Sequence, residues 1–180
     1  LELTGTATKA EYQTALQSIT YTNGSEDPDI NPRTVTFTVN DGDTDSAAGT
    51  RDITVASEND TPVGDDAVFS VEEDAADGTI IGTVTATDLD TGDTLTYSIT
   101  AGNSDGIFAI DSATGKITIA DKTKLDYEAA ASHNLTVQVT DNGVGALSDT
   151  AAVTVNVTNI NEIPVANDAA LSVAENSANG

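Results

Sequence analysis

From residue 34 the chain alternates. Val35, Phe37 and Val39 are interleaved with Thr34, Thr36 and Thr38, and the same period of two runs through Leu95-Tyr97-Ile99, Ile117-Ile119, Leu135-Val137-Val139 and Val153-Val155-Val157. Successive side chains of a strand point to opposite faces, so alternation rich in Thr and Val is the pattern of half-buried β-strands. Gly, Asp and Asn fall between the runs, where turns need them. Strands are predicted at 67–72, 79–86, 94–99, 116–120, 134–140 and 148–157. The period changes once, near the start. Thr8-Lys9-Ala10-Glu11 has the form of a capping box, and Tyr12, Leu16 and Ile19 follow at spacings of four and three. That predicts one short helix near residues 9–18, ahead of a strand at 19–22. The fold class is all-β.

The pattern also repeats at long range. Val71-Glu72-Glu73-Asp74 returns as Val173-Ala174-Glu175-Asn176, while Asn59 maps to Asn161 and Pro62 to Pro164, a constant shift of 102 residues. Such a period is too long for a solenoid unit and matches one small domain. Residues 62–163 are read as one whole unit, 1–61 as the C-terminal part of a preceding unit, and 164–180 as the truncated first strand of the next. Six or seven short strands in about 100 residues predict a Greek-key β-sandwich of immunoglobulin-like type, repeated in tandem. The segment 1–61 carries a marginal core for its size. It is expected either to borrow strands from another molecule or to fray.

Composition narrows the partners. The chain has 30 acidic and 6 basic residues, a formal charge of −24, and no Cys, Met or Trp. Nucleic acid is a poor partner, because phosphate binding needs Lys and Arg. No stretch is apolar enough to span a membrane. Without Cys no disulfide staples the beads. No Lys or Arg occurs from Asp52 to Gly115 or from Leu125 to Gly180, and monovalent salt screens such stretches only partly. A divalent cation is the simplest neutralising partner.

Residues 62–163 resemble a cadherin repeat from end to end. The resemblance is carried by Ser70-Val71-Glu72-Glu73-Asp74, Ala86-Thr87-Asp88-Leu89-Asp90-Thr91-Gly92, Leu95-Thr96-Tyr97-Ser98-Ile99 and Phe108-Ala109-Ile110-Asp111. Thr114-Gly115-Lys116-Ile117, Leu125-Asp126-Tyr127-Glu128, Val139-Thr140-Asp141-Asn142-Gly143 and Asn159-Ile160-Asn161-Glu162-Ile163-Pro164 complete it, in family order and spacing. The Thr-rich, Cys-free style is similar to repeats of large bacterial surface adhesins, and 1–61 resembles a related unit. The resemblance implies Ca2+ held between consecutive domains, an extracellular or cell-surface location, and neighbouring repeats of the same chain as the first partners.

It also implies two half-sites. At the entry joint Asn59 and Asp60 would meet Asp88, Asp90 and Asp141. At the exit joint Glu73, Asp126, Glu128, Asn159, Asn161 and Glu162 would await an aspartate pair beyond Gly180, so that site is expected to be weak or empty. The residues agree with the chemistry, since calcium takes about six to eight oxygen ligands in loose geometry. Side chains at i and i+2 of an extended segment point the same way, which makes Asp88/Asp90 and Asp126/Glu128 two-pronged clamps.

The departures from the pattern are specific. The exit linker is one residue short, with Glu162 in place of an aspartate, and Ser57 stands where an entry-linker aspartate is expected. An asparagine expected after the Asp88/Asp90 turn is missing, with Thr94 nearby. Residues 1–61 offer no counterpart of Glu73 or of the Asp126/Glu128 clamp, although Asp41 is read as an entry-joint ligand of the preceding unit. The entry joint is therefore expected to hold fewer ions than an animal joint.

Other readings fail on particular residues. An EF-hand starting at Asp88 needs Gly at position six and Glu at twelve, which here are Asp93 and Ile99. Asp65, Asp77, Asp111 and Asp149 read as solvent-facing acids. His133, the sole histidine, reads as an exposed strand-end residue, and no acid is paired with a plausible nucleophile or base, so no enzyme is expected. Phe37, Phe69, Tyr97 and Phe108 are in inward phase, which leaves no aromatic platform for sugar. The first reading is a calcium-rigidified spacer or adhesion module of a repetitive surface protein. The alternative is a carbohydrate-binding or homophilic module with a glycan or a like module as partner.

Overall fold

A computed structural model of the protein describes residues 8–40 and 43–164. Its elements are helix α1 (Lys9–Gln17), then strands β1 (Arg33–Phe37), β2 (Gly49–Ile53), β3 (Val63–Gly64), β4 (Ala67–Glu72), β5 (Ile80–Thr83) and β6 (Ala86–Thr87). There follow β7 (Thr96–Ala101), β8 (Phe108–Ile110), β9 (Lys116–Ile119), β10 (Ser132–Thr140) and β11 (Ser148–Thr158), with a 3₁₀ turn at Lys122–Lys124. The described chain divides into two compact units. One draws on the chain up to Val63, on Ala86–Leu95 and on Val139–Asp149; the other on Gly64–Thr85, Thr96–Gln138 and the residues from Thr150. Asp41, and the strand expected in 164–180 from residue 165 on, lie outside the described residues.

The second unit is a β-sandwich. One sheet has the order β4-β11-β10-β7 and the other β5-β9-β8. The chain crosses between these sheets from β4 to β5, from β5 through β6 back to β7, from β7 to β8 and from β9 to β10. Strand β4 runs parallel to β11, with Ala67, Phe69 and Val71 opposite Val153, Val155 and Val157. In the other sheet β9 lies antiparallel to β8, with Phe108 opposite Ile119 and Ile110 opposite Ile117. The alternating residues meet in one core of Leu135, Val137, Val153, Val155 and Val157 with Phe108, Ile117 and Ile119. Each such side chain contributes on the order of 1.5–3 kcal/mol.

Between β8 and β9 the turn is organised by an acid. Asp111 Oδ1 accepts from the amides of Ala113 and Thr114 at 3.1 and 2.9 Å and from the Thr114 hydroxyl at 2.8 Å. Gly115 follows at φ +68°, and a Cβ there would collide with the Val84 carbonyl. Asp111 is thus exposed but engaged. His133 departs from its expected exposure: it is half-buried in β10, its ring edge-on to Phe108 at 5.3 Å, with Nε2 buried and without a donor or acceptor.

In the first unit α1 starts on the predicted capping box, with Thr8 N–H donating to Glu11 Oε2 at 2.7 Å and Glu11 N–H to Thr8 Oγ1 at 3.4 Å. Strands β1 and β2 pair antiparallel, with Val35 opposite Arg51 and Phe37 opposite Gly49. The Phe37 ring lies against the bare Gly49 backbone, yet Phe37 is still 40% exposed. The strand expected at 19–22 is not formed. A strand needs a neighbour for its backbone groups, and among the described residues none is paired with this segment.

Candidate functional site

The entry cluster lies within the first unit. Residues 88–93 form a bend rather than an extended segment, because Asp90 N–H turns back onto Asp88 Oδ1 at 2.9 Å. Short acidic side chains capture their own backbone in this way. The i, i+2 clamp of Asp88 and Asp90 is therefore held by a turn, not by strand geometry. Asp90 Oδ2 also accepts the Asp60 amide at 2.6 Å, which ties the linker to the bend. Asp141 is only 4% exposed. Its carboxylate accepts from Gly143 N–H at 3.0 Å, from Leu147 N–H at 3.1 Å and from Asn59 Nδ2 at 3.2 Å. All five predicted entry residues thus come together.

Four further acids join them. Asp27 Oδ2 accepts from Thr91 N–H at 3.2 Å. Asp93 projects from the same bend, and Glu26, Glu58 and Asp60 line a small polar cleft with Ser25, Pro28 and Ala56. Burial, then the charges of Asp90, Glu26, Asp88 and Glu58, push the Asp60 carboxyl up from the ordinary aspartate range. Asp93 is raised by burial and by Asp90, Asp88, Asp141 and Asp27. One oxygen of Asp88 and one of Asp93, both Oδ2, are buried without a hydrogen-bond partner. A buried carboxylate oxygen without a donor is costly. Glu26, Asp27, Glu58 and Asp93 are not among the residues that the sequence pattern points to. The acid pair ahead of Pro28 and the glutamate two positions before Asp60 were the signals available.

Residues of the exit cluster belong to the second unit. Glu73 Oε1 accepts the Ile160 amide at 2.5 Å and Oε2 the Tyr127 amide at 2.9 Å, and these bonds hold its carboxyl below the usual glutamate range. Asn159 Nδ2 donates to Glu128 Oε1 at 2.6 Å. Oxygens of Glu73, Glu128 and Glu162 lie within 4.8 Å of one another, the one such trio among the described residues. For Glu162 its own backbone amide pulls the value down, but burial and the Glu73 and Glu128 carboxylates override it and leave it raised. Asp126 sits apart from the trio: its Oδ1 accepts the Ala129 amide at 3.0 Å, so Asp126/Glu128 is again a turn and not an extended clamp. Asn161 is exposed in the linker.

A family model described as the cadherin domain matches residues 67–158. The chain belongs to the cadherin family. It is 41% identical over 126 residues to human Protocadherin Fat 1, covering 65% of this chain and 3% of that protein. It is 46% identical over 92 residues to the Drosophila melanogaster Protocadherin-like wing polarity protein stan, covering 51% of this chain and 2% of that protein. Among solved structures it resembles mouse clustered PcdhgC3 EC1-3 at TM-score 0.54 and 33% identity, over 63% of this chain and 38% of that one. The cadherin domain thus accounts for the β-sandwich. The donor sets, rich in carboxylates with an Asn amide at each pole, suit a hard cation. The buried, donorless oxygens of Asp88 and Asp93 fit one at the entry pole. The 4.8 Å trio fits one at the exit pole.

Proposed function

We propose that this chain is a calcium-rigidified cadherin repeat, with residues 62–163 as the whole repeat, acting as an extracellular spacer or adhesion module. The observation that carries the reading is the pair of buried carboxylate oxygens at the entry pole that no N–H or O–H reaches. Asn59, Asp60, Asp88, Asp90 and Asp141 would hold the ion there, and Glu73, Asp126, Glu128, Asn159, Asn161 and Glu162 at the exit pole. A bound Ca2+ supplies the positive charge that the chain between Asp52 and Gly115 lacks.

The chain's own residues prepare the pole. Asp60 N–H on Asp90 anchors the linker, Asn59 bridges to Asp141, and Asp88 restrains the Asp90 backbone. Ligands fixed before binding lose little freedom on binding. Extracellular calcium modules bind at about 10⁻⁴–10⁻³ M, so millimolar calcium would saturate the joint and cytosolic calcium would not.

The test is a calorimetric calcium titration in millimolar magnesium. Saturable binding in the sub-millimolar to millimolar range is expected, together with a calcium-dependent rise in the thermal midpoint. The combined Asp88→Asn and Asp90→Asn substitution should remove most of that rise. An unchanged calcium response in the double variant sinks the assignment.

A further inference from the structure

We infer that Asn23 is a site of spontaneous covalent modification, at which the Gly24 amide nitrogen attacks the Asn23 carboxamide and converts it to aspartate and isoaspartate. This does not rest on the calcium reading: it adds a reaction, not a ligand.

The dipeptide occurs twice among the described residues, as Asn23-Gly24 and Asn142-Gly143, with Asn179-Gly180 outside them. Glycine leaves the attacking nitrogen open, because it has no side chain to block the approach and the widest backbone freedom. The bonds balance without an enzyme. The Gly24 nitrogen gives its proton to solvent and bonds to Asn23 Cγ, the Cγ–Nδ2 bond breaks, and Nδ2 takes a proton from solvent and leaves as ammonia. Water then opens the cyclic imide at either carbonyl. One opening gives aspartate, and the other gives isoaspartate, whose main chain runs through the former side-chain carbonyl.

The folded chain treats the two pairs oppositely. Asn23 and Gly24 are exposed, and a Cβ on Gly24 would meet nothing within 4 Å. Among the described residues the Gly24 N–H makes no hydrogen bond. Asn23 Oδ1 accepts from Ser25 N–H at 3.3 Å. That bond folds the carboxamide back along the Gly24 backbone and puts a donor on the oxygen where negative charge develops during attack. At the second pair Gly143 N–H is given to the Asp141 carboxylate at 3.0 Å, so a nitrogen anion there would form against a negative charge. Asn142 Oδ1 is drawn to Thr94 N–H at 2.6 Å, 48 positions away, and the Gly143 backbone is packed against the Asn59 amide. That pair cannot rotate into attack while the fold holds.

The modification reaches beyond its own residue. Ser25 Oγ donates to the Asp27 carbonyl at 2.8 Å, and Asp27 Oδ2 accepts from Thr91 N–H at 3.2 Å. An isoaspartate at 23 loses the turn that precedes these bonds, and so frees the 25–28 loop from Thr91.

The experiment ages the full chain at mildly alkaline pH, in buffer and in denaturant. Conversion is located by peptide fragmentation in the mass spectrometer, with enzymatic methylation of isoaspartate as a second readout. In buffer Asn23 should convert about tenfold or more faster than Asn142, a factor of ten being about 1.4 kcal/mol of barrier. In denaturant the two rates should converge. Gly24→Ala, whose Cβ meets open space, should slow conversion at 23 strongly. The Thr91 amide of the aged chain should exchange faster with deuterium. Equal rates in buffer, a gap that survives denaturant, or undiminished conversion in Gly24→Ala each overturns the inference. Unchanged Thr91 exchange after full conversion overturns the release of the loop.

Discussion

Asp141 and Gly143 show how a single residue sets the entry pole. The Asp141 carboxylate is buried, accepts from Gly143, Leu147 and Asn59, and so presents the linker to the bend. Gly143 is bare for a reason: a Cβ there would run into the Asn59 amide and stand 2.8 Å from Asp93 Oδ2. Gly143→Ala should therefore destabilise through overpacking, by about 1–3 kcal/mol. It should also weaken calcium binding, because Asn59 and Asp93 are pushed from their places. Thermal melts and calorimetry of the variant check both effects, and an unaltered affinity would show that Asn59 has no part in binding. The reverse lesson comes from Asp111, whose acid chemistry is spent on its own turn through Thr114 and Ala113. An acidic residue in this chain is read by what it accepts, not by its charge.

At the scale of elements, period-two alternation carried the sandwich strands, because each buries one face against the facing sheet. Leu135, Val137, Val153, Val155 and Val157 were legible for that reason and are all in the core. The pattern predicts one strand over 79–86, but the chain forms only Ile80–Thr83, with Ala86–Thr87 separate and a register irregularity between Ile80 and Gly82. The Phe69 ring occupies the space a Cβ on Gly82 would need, a packing reason that no local pattern carries. The bends of Asp88/Asp90 and Asp126/Glu128 were illegible because side chain–backbone capture competes with extension over two or three residues. The Asp27–Thr91 docking was illegible because it joins distant segments. In β10, His133 reveals the same limit, since its half-burial and its edge-on contact with the Phe108 ring arise from tertiary packing. Burial lowers its basicity below the ordinary histidine value of 6.5, against an opposing pull from Asp105. The folded state thus prefers neutral imidazole, so stability is full above the unfolded value and falls as pH drops through 6.5 toward the lower folded value. His133→Leu should flatten that part of the stability–pH curve in denaturant titrations, and an identical slope in the variant would refute the burial argument.

On the whole-molecule scale the governing number is the formal charge of −24. It is unevenly spread, with every Lys and Arg outside the stretches 52–115 and 125–180 that carry the two poles. Self-repulsion then destabilises the calcium-free fold, and added monovalent salt relieves it by shortening the screening length from about 10 Å at 0.1 M to about 3 Å at 1 M. With calcium on the poles the sign reverses, since the same screening weakens attraction between ion and carboxylates. Raising NaCl from 0.1 to 1 M at fixed pH should therefore raise the thermal midpoint in chelator, and leave it level or lower it in millimolar calcium. Potassium sulfate is unsuitable for the comparison, because sulfate stabilises folds by exclusion from their surface. Parallel salt responses with and without calcium would mean that the charges at the poles do not govern stability. The stiffness proposed for this cadherin chain would then have to come from packing of the sandwich rather than from its acids.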